Sequence, residues 1–279
     1  VLERGVKQGD VLSPMVFALS VEVLLRNWAV QEMPVAGKVH DPTKSSVLCG
    51  FVDDMSTGST SIPRSSRLLE VAEEFSEWSG MMMNAGRCSV SAKKFGTGEA
   101  INTEQLRIRG VSLQVVAPDA PTKYLGVQTR VDGRHEDEMK WVLNKMRKDL
   151  DAIRAARQLA RWQRRALVEM CMRAHFRYSA AVTKWTPRGL DAVDNILCQG
   201  YKAAYGLPNR GTDASIMMLS KKHGGVGRLS ARVTLTESIE SHLSRMLKGK
   251  DVLAADISRE RKTVREEYGN ASWEAIGKV

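Results

Sequence analysis

The spacing of apolar residues changes about halfway along this chain of 279 residues. Before residue 131 the apolar residues form short runs, such as Val111–Val116, separated by Gly, Asn and Asp, a pattern typical of strands joined by turns. Beyond it, Met139, Val142 and Met146 recur at steps of three and four, the period of an amphipathic helix. The sequence therefore predicts an α+β part followed by a helical part, with the boundary at 131–134.

Two helices and several strands are predicted in the first part. Ser13-Pro14 favours a helix start, because Ser caps a helix and Pro is tolerated in its first turn. The apolar run from Met15 to Trp28 predicts that this helix is buried on nearly all sides. A second helix is predicted over Arg67–Trp78, ending at Gly80. The predicted strands are 47–52, 55–61, 81–83, 88–92, 106–108, 111–116 and 124–129.

The second part is predicted to consist of helices and a tail. Pro187 and Gly206 bound one helix, since Pro begins helices and Gly ends them. The predicted helices are His135–Leu159, Trp162–Trp185, Pro187–Tyr205 and Ser230–Leu247, followed by a polar tail from about residue 251.

The positive charge is concentrated in one stretch. The formal net charge is +10, from 42 basic and 32 acidic residues. Residues 1–134 contain 15 of each sign, whereas residues 140–188 contain 13 basic and 3 acidic residues, which equals the whole excess. Such a stripe is typical of a protein that binds a polyanion such as nucleic acid. A solvated helix face on a basic protein fits the same pattern.

Several classes of protein are disfavoured by the sequence. No apolar run approaches the ~18 residues of a membrane-spanning helix, so we expect no membrane partner. The cysteines, at positions 49, 88, 171 and 198, form no CxxC pair, which argues against a zinc module and a disulfide framework. With no visible export signal, we expect reduced thiols in an intracellular protein.

Asp53 and Asp54 form the first candidate site. Adjacent carboxylates raise each other's pKa unless positive charge lies near them. A divalent cation provides that charge, and oxygen ligands suit Mg²⁺. The predicted strand–turn–strand over 47–61 places both at a hairpin tip, where they can face one site. Asp is also common in turns for purely conformational reasons.

The glycine-rich loop Gly5–Asp10 forms the second candidate site. Its glycines allow close approach of a ligand to the backbone, and Gln8 both donates and accepts hydrogen bonds. The N–H groups at the start of the helix that follows suit a phosphate. A plain loop before a helix is the alternative.

Together and in order, these segments resemble the palm of reverse transcriptases. The motifs that carry the resemblance are Gly5-x-x-Gln8-Gly9-x-x-x-Ser13-Pro14-x-x-Phe17, Phe51-Val52-Asp53-Asp54, Ser79-Gly80 with Asn84-x-x-Arg87-Cys88, and Lys123-Tyr124-Leu125-Gly126. Their order and spacing are similar to those of the non-LTR retrotransposon type. Two later segments resemble the thumb region of that family less specifically: Gly206-Leu207-Pro208 and Gly224-Gly225-Val226-Gly227.

The resemblance implies an RNA-directed DNA polymerase that uses two Mg²⁺ ions, an RNA template, a DNA primer and dNTPs. It implies a partial palm, an antiparallel sheet with helices, over 1–134 and an all-helical basic thumb over 135–250, before a tail at 251–279. The implied metal ligands are Asp53 and, secondarily, Asp54. The implied nucleotide and template contacts are Gln8, Gly9 and Arg87, and the implied primer grip is Tyr124, Leu125 and Gly126.

Two departures from the family pattern qualify this expectation. The family usually has Lys at the position of Arg87, and Arg stabilises charge but hardly gives up a proton. Another carboxylate of the family lies before the Gln-Gly motif, and this chain begins at Val1, so we expect a fragment that is inactive alone. A non-catalytic nucleic-acid-binding relic of a decayed element is the alternative.

Within the basic stretch, seven side chains are the predicted contacts to a nucleic-acid backbone. The five arginines among them share one face if the helix over 135–159 continues through Leu159. Trp141, Trp162 and Trp185 are interleaved with them and either stack on bases or pack in the core. The seven are Lys145, Lys148, Arg154, Arg157, Arg161, Arg164 and Arg165.

Overall fold

The computed structural model describes residues 12–32, 47–51, 54–94, 96–208, 210–228 and 230–247. The chain divides into two compact units, Val1–Arg134 and His135–Val279. In the described residues the first unit mixes helices with short strands and the second is helical, which confirms the predicted fold class. None of the described helices combines the length and the apolar content that crossing a membrane requires.

Two helices form the main core of the first unit. Helix α1 (Ser13–Glu32) packs against α2 (Ile62–Ser79). Helix α2 begins earlier than predicted, because Ser61 precedes it and Pro63 is compatible with its first turn. It ends, as predicted, at Gly80, whose φ is 70°. The buried residues of this core are Leu24, Leu68, Val71, Ala72 and Phe75.

The predicted burial of α1 on nearly all sides is wrong. Val21 and Leu24 are buried, and they lie on the side that packs against α2. An apolar stripe at steps of three and four is exposed, because among the described elements only α2 and β1 pack closely against this helix. The stripe consists of Leu12, Met15, Val16, Leu19 and Val23.

Short strands complete the first unit. Three antiparallel hairpins, β1–β2, β4–β5 and β7–β8, and one parallel pair, β3 with β6, are present among the described residues. The strands are β1 (Val47–Phe51), β2 (Asp54–Gly58), β3 (Ser89–Val90), β4 (Arg107–Ile108), β5 (Val111–Ser112), β6 (Gln114–Val115), β7 (Thr122–Tyr124) and β8 (Val127–Thr129).

Two predicted strands are replaced or divided by packing of apolar side chains. Residues 81–83 have no strand partner in the described part of the chain; Met81 and Met83 instead pack against the core between α1 and α2. The predicted strand 111–116 is divided into β5 and β6 by Leu113, which is buried against Leu106 and Ile108. In both places packing of apolar side chains replaces continuous strand pairing.

Helix α6 (Pro187–Tyr205) is the centre of the second unit. The Thr186 hydroxyl caps it by accepting a 3.1 Å hydrogen bond from the Gly189 N–H, and Gly206, with a φ of 71°, ends it. Its predicted bounds are confirmed. The other helices are α3 (Glu136–Ala155), α4 (Arg161–Leu167), α5 (Arg173–Ala180), α7 (Ser215–Met218) and α8 (Ala231–Leu247).

The core of the second unit is a single apolar cluster. The apolar side of α3 indicated by Met139, Val142 and Met146 does face inward: Val142 and Met146 are buried together with Leu150 and Ile153, and Met139 packs against this core. Helix α6 packs between α3 and α4 and also contacts α8. The largest buried side chains from the other elements are Val168, Met172, Phe176, Leu197, Tyr201 and Met217.

A π-helical turn, Val168–Met172, joins α4 to α5. Glu169 in this turn accepts a hydrogen bond from the Tyr201 hydroxyl of α6 and pairs at 3.1 Å with Arg173. Arg173 also reaches Thr234 of α8, at 3.4 Å. Burial, together with this contact to Glu169, raises the pKa of Tyr201. The polar network therefore links the π-helical turn, α5, α6 and α8 across the apolar core.

The glycine-rich segment 224–227 is tightly held against α7. The Gly227 N–H donates to the Leu219 carbonyl at 2.7 Å, and the Arg228 N–H donates to the Met217 carbonyl at 2.8 Å. A Cβ at Gly225 would lie 2.1 Å from the Leu219 carbonyl oxygen, a clash with backbone. Glycine is therefore required at position 225, because the Leu219 backbone lies too close to leave room for a side chain.

Gly225→Ala should destabilise the chain by about 1–3 kcal/mol, because the clashing backbone atoms must move. The measurement is the free energy of unfolding in urea. Gly86→Ala is the control, since its nearest neighbour would be the Asn84 side chain at 3.4 Å, ordinary contact. Equal stability of the two variants would contradict this account of the segment.

Candidate nucleic-acid interface

The β1–β2 hairpin carries the candidate metal site. Its register runs from Val47 paired with Gly58 to Phe51 paired with Asp54, so two residues connect the strands. Asp53 is one of these two and lies outside the described residues, as do Gln8 and Gly9. The roles predicted for those three residues therefore stay predictions.

Asp54 is the first residue of β2, and its side chain is exposed. The next residue, Met55, packs against the core between α1 and α2. Since neighbouring side chains in a strand point to opposite faces, the carboxylate projects away from that core. No described residue forms an ion pair or hydrogen bond with it.

The donor chemistry of Asp54 fits Mg²⁺, because an exposed carboxylate supplies the hard oxygen ligand that this ion prefers. Among the described residues no group of three His, Cys, Asp or Glu side chains is placed to hold a metal ion. Asp54 therefore fits as one ligand, and a complete site requires ligands from outside the described ranges.

The segment after α2 forms a compact turn that presents Arg87. The Asn84 side-chain oxygen accepts a 3.1 Å hydrogen bond from the Gly86 N–H, which fixes a 3₁₀ turn over Ala85–Arg87. The Cys88 thiol donates to the Asn84 carbonyl at 3.3 Å, and burial raises the pKa of that thiol. Arg87 is exposed and pairs with no described residue, Asp54 included.

The predicted primer grip is the turn of the β7–β8 hairpin, where the sequence had indicated a continuous strand. The register pairs Tyr124 with Val127, leaving Leu125 and Gly126 as the central residues, with φ of 46° and 83°. Both angles are left-handed, which is the geometry that suits a two-residue hairpin. Leu is disfavoured there by about 1–2 kcal/mol, and such strain is concentrated at functional sites.

The condition under which the five arginines would share one helix face is not met. Helix α3 ends at Ala155, and α4 begins at Arg161 after a turn. Arg154 donates to the Gln199 side chain at 2.8 Å, and Arg164 donates to the Ala203 carbonyl at 3.0 Å. These two arginines hold α3 and α4 against α6.

The remaining predicted contacts are better placed for a partner. Lys145, Lys148, Arg157 and Arg161 are exposed, Arg165 is half-buried, and none of the five pairs with a described carboxylate. Lys145 lies over the Trp141 ring, 4.3 Å from its centroid.

Sequence reasoning missed two further cations on α3. Lys140 and Arg147 are exposed and lie outside the buried stripe of Val142, Met146 and Leu150. The step of seven from Lys140 to Arg147 was the available signal, since seven residues return to within about 20° of the same side of a helix. The exposed cations of α3 and of the turn after it, apart from Arg154, which is bound to Gln199, are here called the α3 basic face: Lys140, Lys145, Arg147, Lys148 and Arg157.

The tryptophans of the basic stretch have different environments. Trp185 is 8% exposed and packs edge-on against Phe176, with ring centroids 4.9 Å apart. Trp162, by contrast, is 71% exposed at the start of α4. Core packing is therefore confirmed for Trp185 and wrong for Trp162.

Comparison with protein families gives one match. Residues 1–129 match the model of the family described as reverse transcriptase (RNA-dependent DNA polymerase). A search of curated proteins found no match. The matched region contains the β1–β2 hairpin, the turn that presents Arg87 and the β7–β8 hairpin, whereas the helical unit from His135 lies beyond it. Residues 1–129 are thus similar to the reverse transcriptase family.

Proposed function

We propose that the chain is part of an RNA-directed DNA polymerase of the non-LTR retrotransposon type, with its palm in the first unit and its thumb in the second. The family match over residues 1–129 carries this proposal. The hairpin that closes on Phe51 and Asp54 supports it, because a two-residue connection leaves Asp53 next to an exposed carboxylate.

In this proposal Asp53 and Asp54 hold the metal ions, which activate the primer 3′-hydroxyl and neutralise the triphosphate. Gln8 and Gly9 lie along the incoming nucleotide and template. Arg87 stabilises negative charge on the leaving pyrophosphate without supplying a proton.

The β7–β8 turn has a separate role in the proposal. Tyr124, Leu125 and Gly126 hold the primer strand there. Both central residues have left-handed backbone, which closes a tight two-residue turn at the point where the primer strand would lie.

Primer extension tests the proposal. The protein is the polypeptide translated from the uninterrupted reading frame that contains these residues, and the assay contains an RNA template, a DNA primer, Mg²⁺ and dNTPs. Extension dependent on Mg²⁺ is the expected result. Tight binding of the template–primer with no extension would favour a non-catalytic nucleic-acid-binding relic instead.

We further propose that the α3 basic face binds the sugar–phosphate backbone of the template–primer duplex. The affinity of the 279-residue chain for an RNA–DNA hybrid should fall with salt. For four to six neutralised phosphates, the slope of log K against log salt is roughly −3 to −5. Fluorescence anisotropy at several salt concentrations measures it.

Lys148→Gln should weaken hybrid binding for all sequences alike and reduce the magnitude of that slope by about 1. Arg232→Gln is the matched control, because Arg232 is also an exposed helix cation but is paired with Asp191 at 3.0 Å. Two results would contradict this proposal: a binding constant that does not change with salt, or a salt slope that both variants change equally. Either result would mean that the α3 basic face contacts water rather than the nucleic-acid backbone.

A further inference from the structure

The joined helices α4 and α5 carry a row of exposed apolar side chains, here called the aromatic ridge: Trp162, Met170, Ala174 and Tyr178. Trp162 is 71% exposed, Met170 75% and Tyr178 64%, although large apolar side chains are usually covered. The ridge lies outside the region that matches the reverse transcriptase family.

The π-helical turn brings the ridge onto one side of the helix. In a regular α-helix, residues eight apart are displaced by about 80° around the axis, so Trp162 and Tyr178 would diverge by about 160°. The turn bonds the Arg173 N–H to the Val168 carbonyl, five residues back. Its larger number of residues per turn cancels part of that displacement. The buried Val168, Met172 and Phe176 occupy the opposite side.

Unpaired positive charge flanks the ridge. Arg161, Arg165 and Arg177 lie on the same two helices, and within the described ranges none of them pairs with a carboxylate. The acidic residue of this stretch, Glu169, is already bound to Arg173 and Tyr201. The surface therefore combines exposed rings with cations and lacks a free anion from its own helices.

We propose that the aromatic ridge binds single-stranded nucleic acid, with bases stacked on Trp162 and Tyr178 and phosphates contacting the flanking arginines. Stacking on aromatic side chains beside a positive surface is the usual chemistry of sequence-independent single-strand binding. The sixteen helical steps from Trp162 to Tyr178 span about 24 Å, enough for a few nucleotides.

Charge complementarity decides between partners. A purely apolar partner would leave three arginines without counter-charges, whereas a polyanion with flat apolar bases satisfies both parts of the surface. This surface is separate from the α3 basic face proposed for the duplex. Binding of single strands by the ridge requires no polymerase activity. A negative primer-extension result would therefore leave this proposal standing, and a negative oligouridine result would leave the proposed polymerase standing.

The test is anisotropy of a fluorescein-labelled oligouridine titrated with the 279-residue chain. Trp162→Ala should weaken binding about 5- to 100-fold, the range for loss of one stacked base. Trp162→Phe should retain most of the affinity, because a phenyl ring still stacks. The salt slope should stay unchanged in Trp162→Ala and should decrease in magnitude by about 0.7 in Arg177→Gln.

Trp78→Ala is the matched control. Trp78 is 73% exposed on α2, but its helix neighbours Glu74 and Glu77 make that surface acidic. It should leave oligouridine binding unchanged.

Two results would overturn the proposal. One is Trp162→Ala with no larger effect than Trp78→Ala. The other is that Trp162→Ala changes self-association, measured by sedimentation velocity, and leaves oligouridine binding unchanged. That result would make the ridge a contact between copies of the chain.

Discussion

Asp53→Asn should reduce primer extension by about a thousandfold in the polypeptide that contains these residues. Asn keeps the size of the side chain but removes the negative charge that holds a divalent cation. Metal-ion stabilisation of transition-state charge is worth several kcal/mol, and about 4 kcal/mol corresponds to three orders of magnitude in rate. Single-turnover extension on an RNA template measures the rate directly.

Binding separates loss of chemistry from loss of folding. The affinity of Asp53→Asn for the RNA–DNA hybrid should stay within about twofold, because neither the α3 basic face nor the proposed primer grip is changed and the phosphate contacts dominate binding. Asp119→Asn is the control, since Asp119 is an exposed carboxylate in a loop of the same unit. Extension by Asp53→Asn at the rate of Asp119→Asn would remove the metal-site assignment.

Asp194→Ala should destabilise the helical unit by about 3–5 kcal/mol, the usual result of leaving a buried charge without its partner. Asp194 on α6 pairs at 2.6 Å with Arg228, whose side chain is 1% exposed. The same carboxylate oxygen accepts the Ala231 N–H at 2.9 Å and so caps the start of α8. Urea unfolding followed by tryptophan emission measures the change, because Trp185 is buried in this unit.

A second Asp–Arg pair between the same helices gives the matched control. Asp191 on α6 pairs with Arg232 on α8 at 3.0 Å, but the two side chains are 60% and 58% exposed. Exposed pairs contribute about 0–1 kcal/mol, so Asp191→Ala should have little effect on the free energy of unfolding. Equal destabilisation by the two substitutions would show that burial does not control the strength of this contact.

Local signals in the sequence determined several elements correctly. Helix α6 begins after Thr186, which caps it, and at Pro187, whose φ is fixed. It ends at the left-handed Gly206. These signals act within a few positions of the helix end, so the sequence alone reveals them. The inward side of α3 follows from the period of its apolar residues. The order of short motifs in the first part also identified the reverse transcriptase family over residues 1–129.

Packing between distant segments decided the rest. Trp162 and Trp185 lie in the same basic stretch, yet Trp185 packs against Phe176 while Trp162 is exposed. The arginines appeared to share one face, but α3 ends at Ala155, and Arg154 and Arg164 bind α6. The sequence by itself determined where helices are favoured and that the first part is similar to the reverse transcriptase family. The tertiary structure decided which sides are covered, because burial depends on neighbours that are remote in sequence.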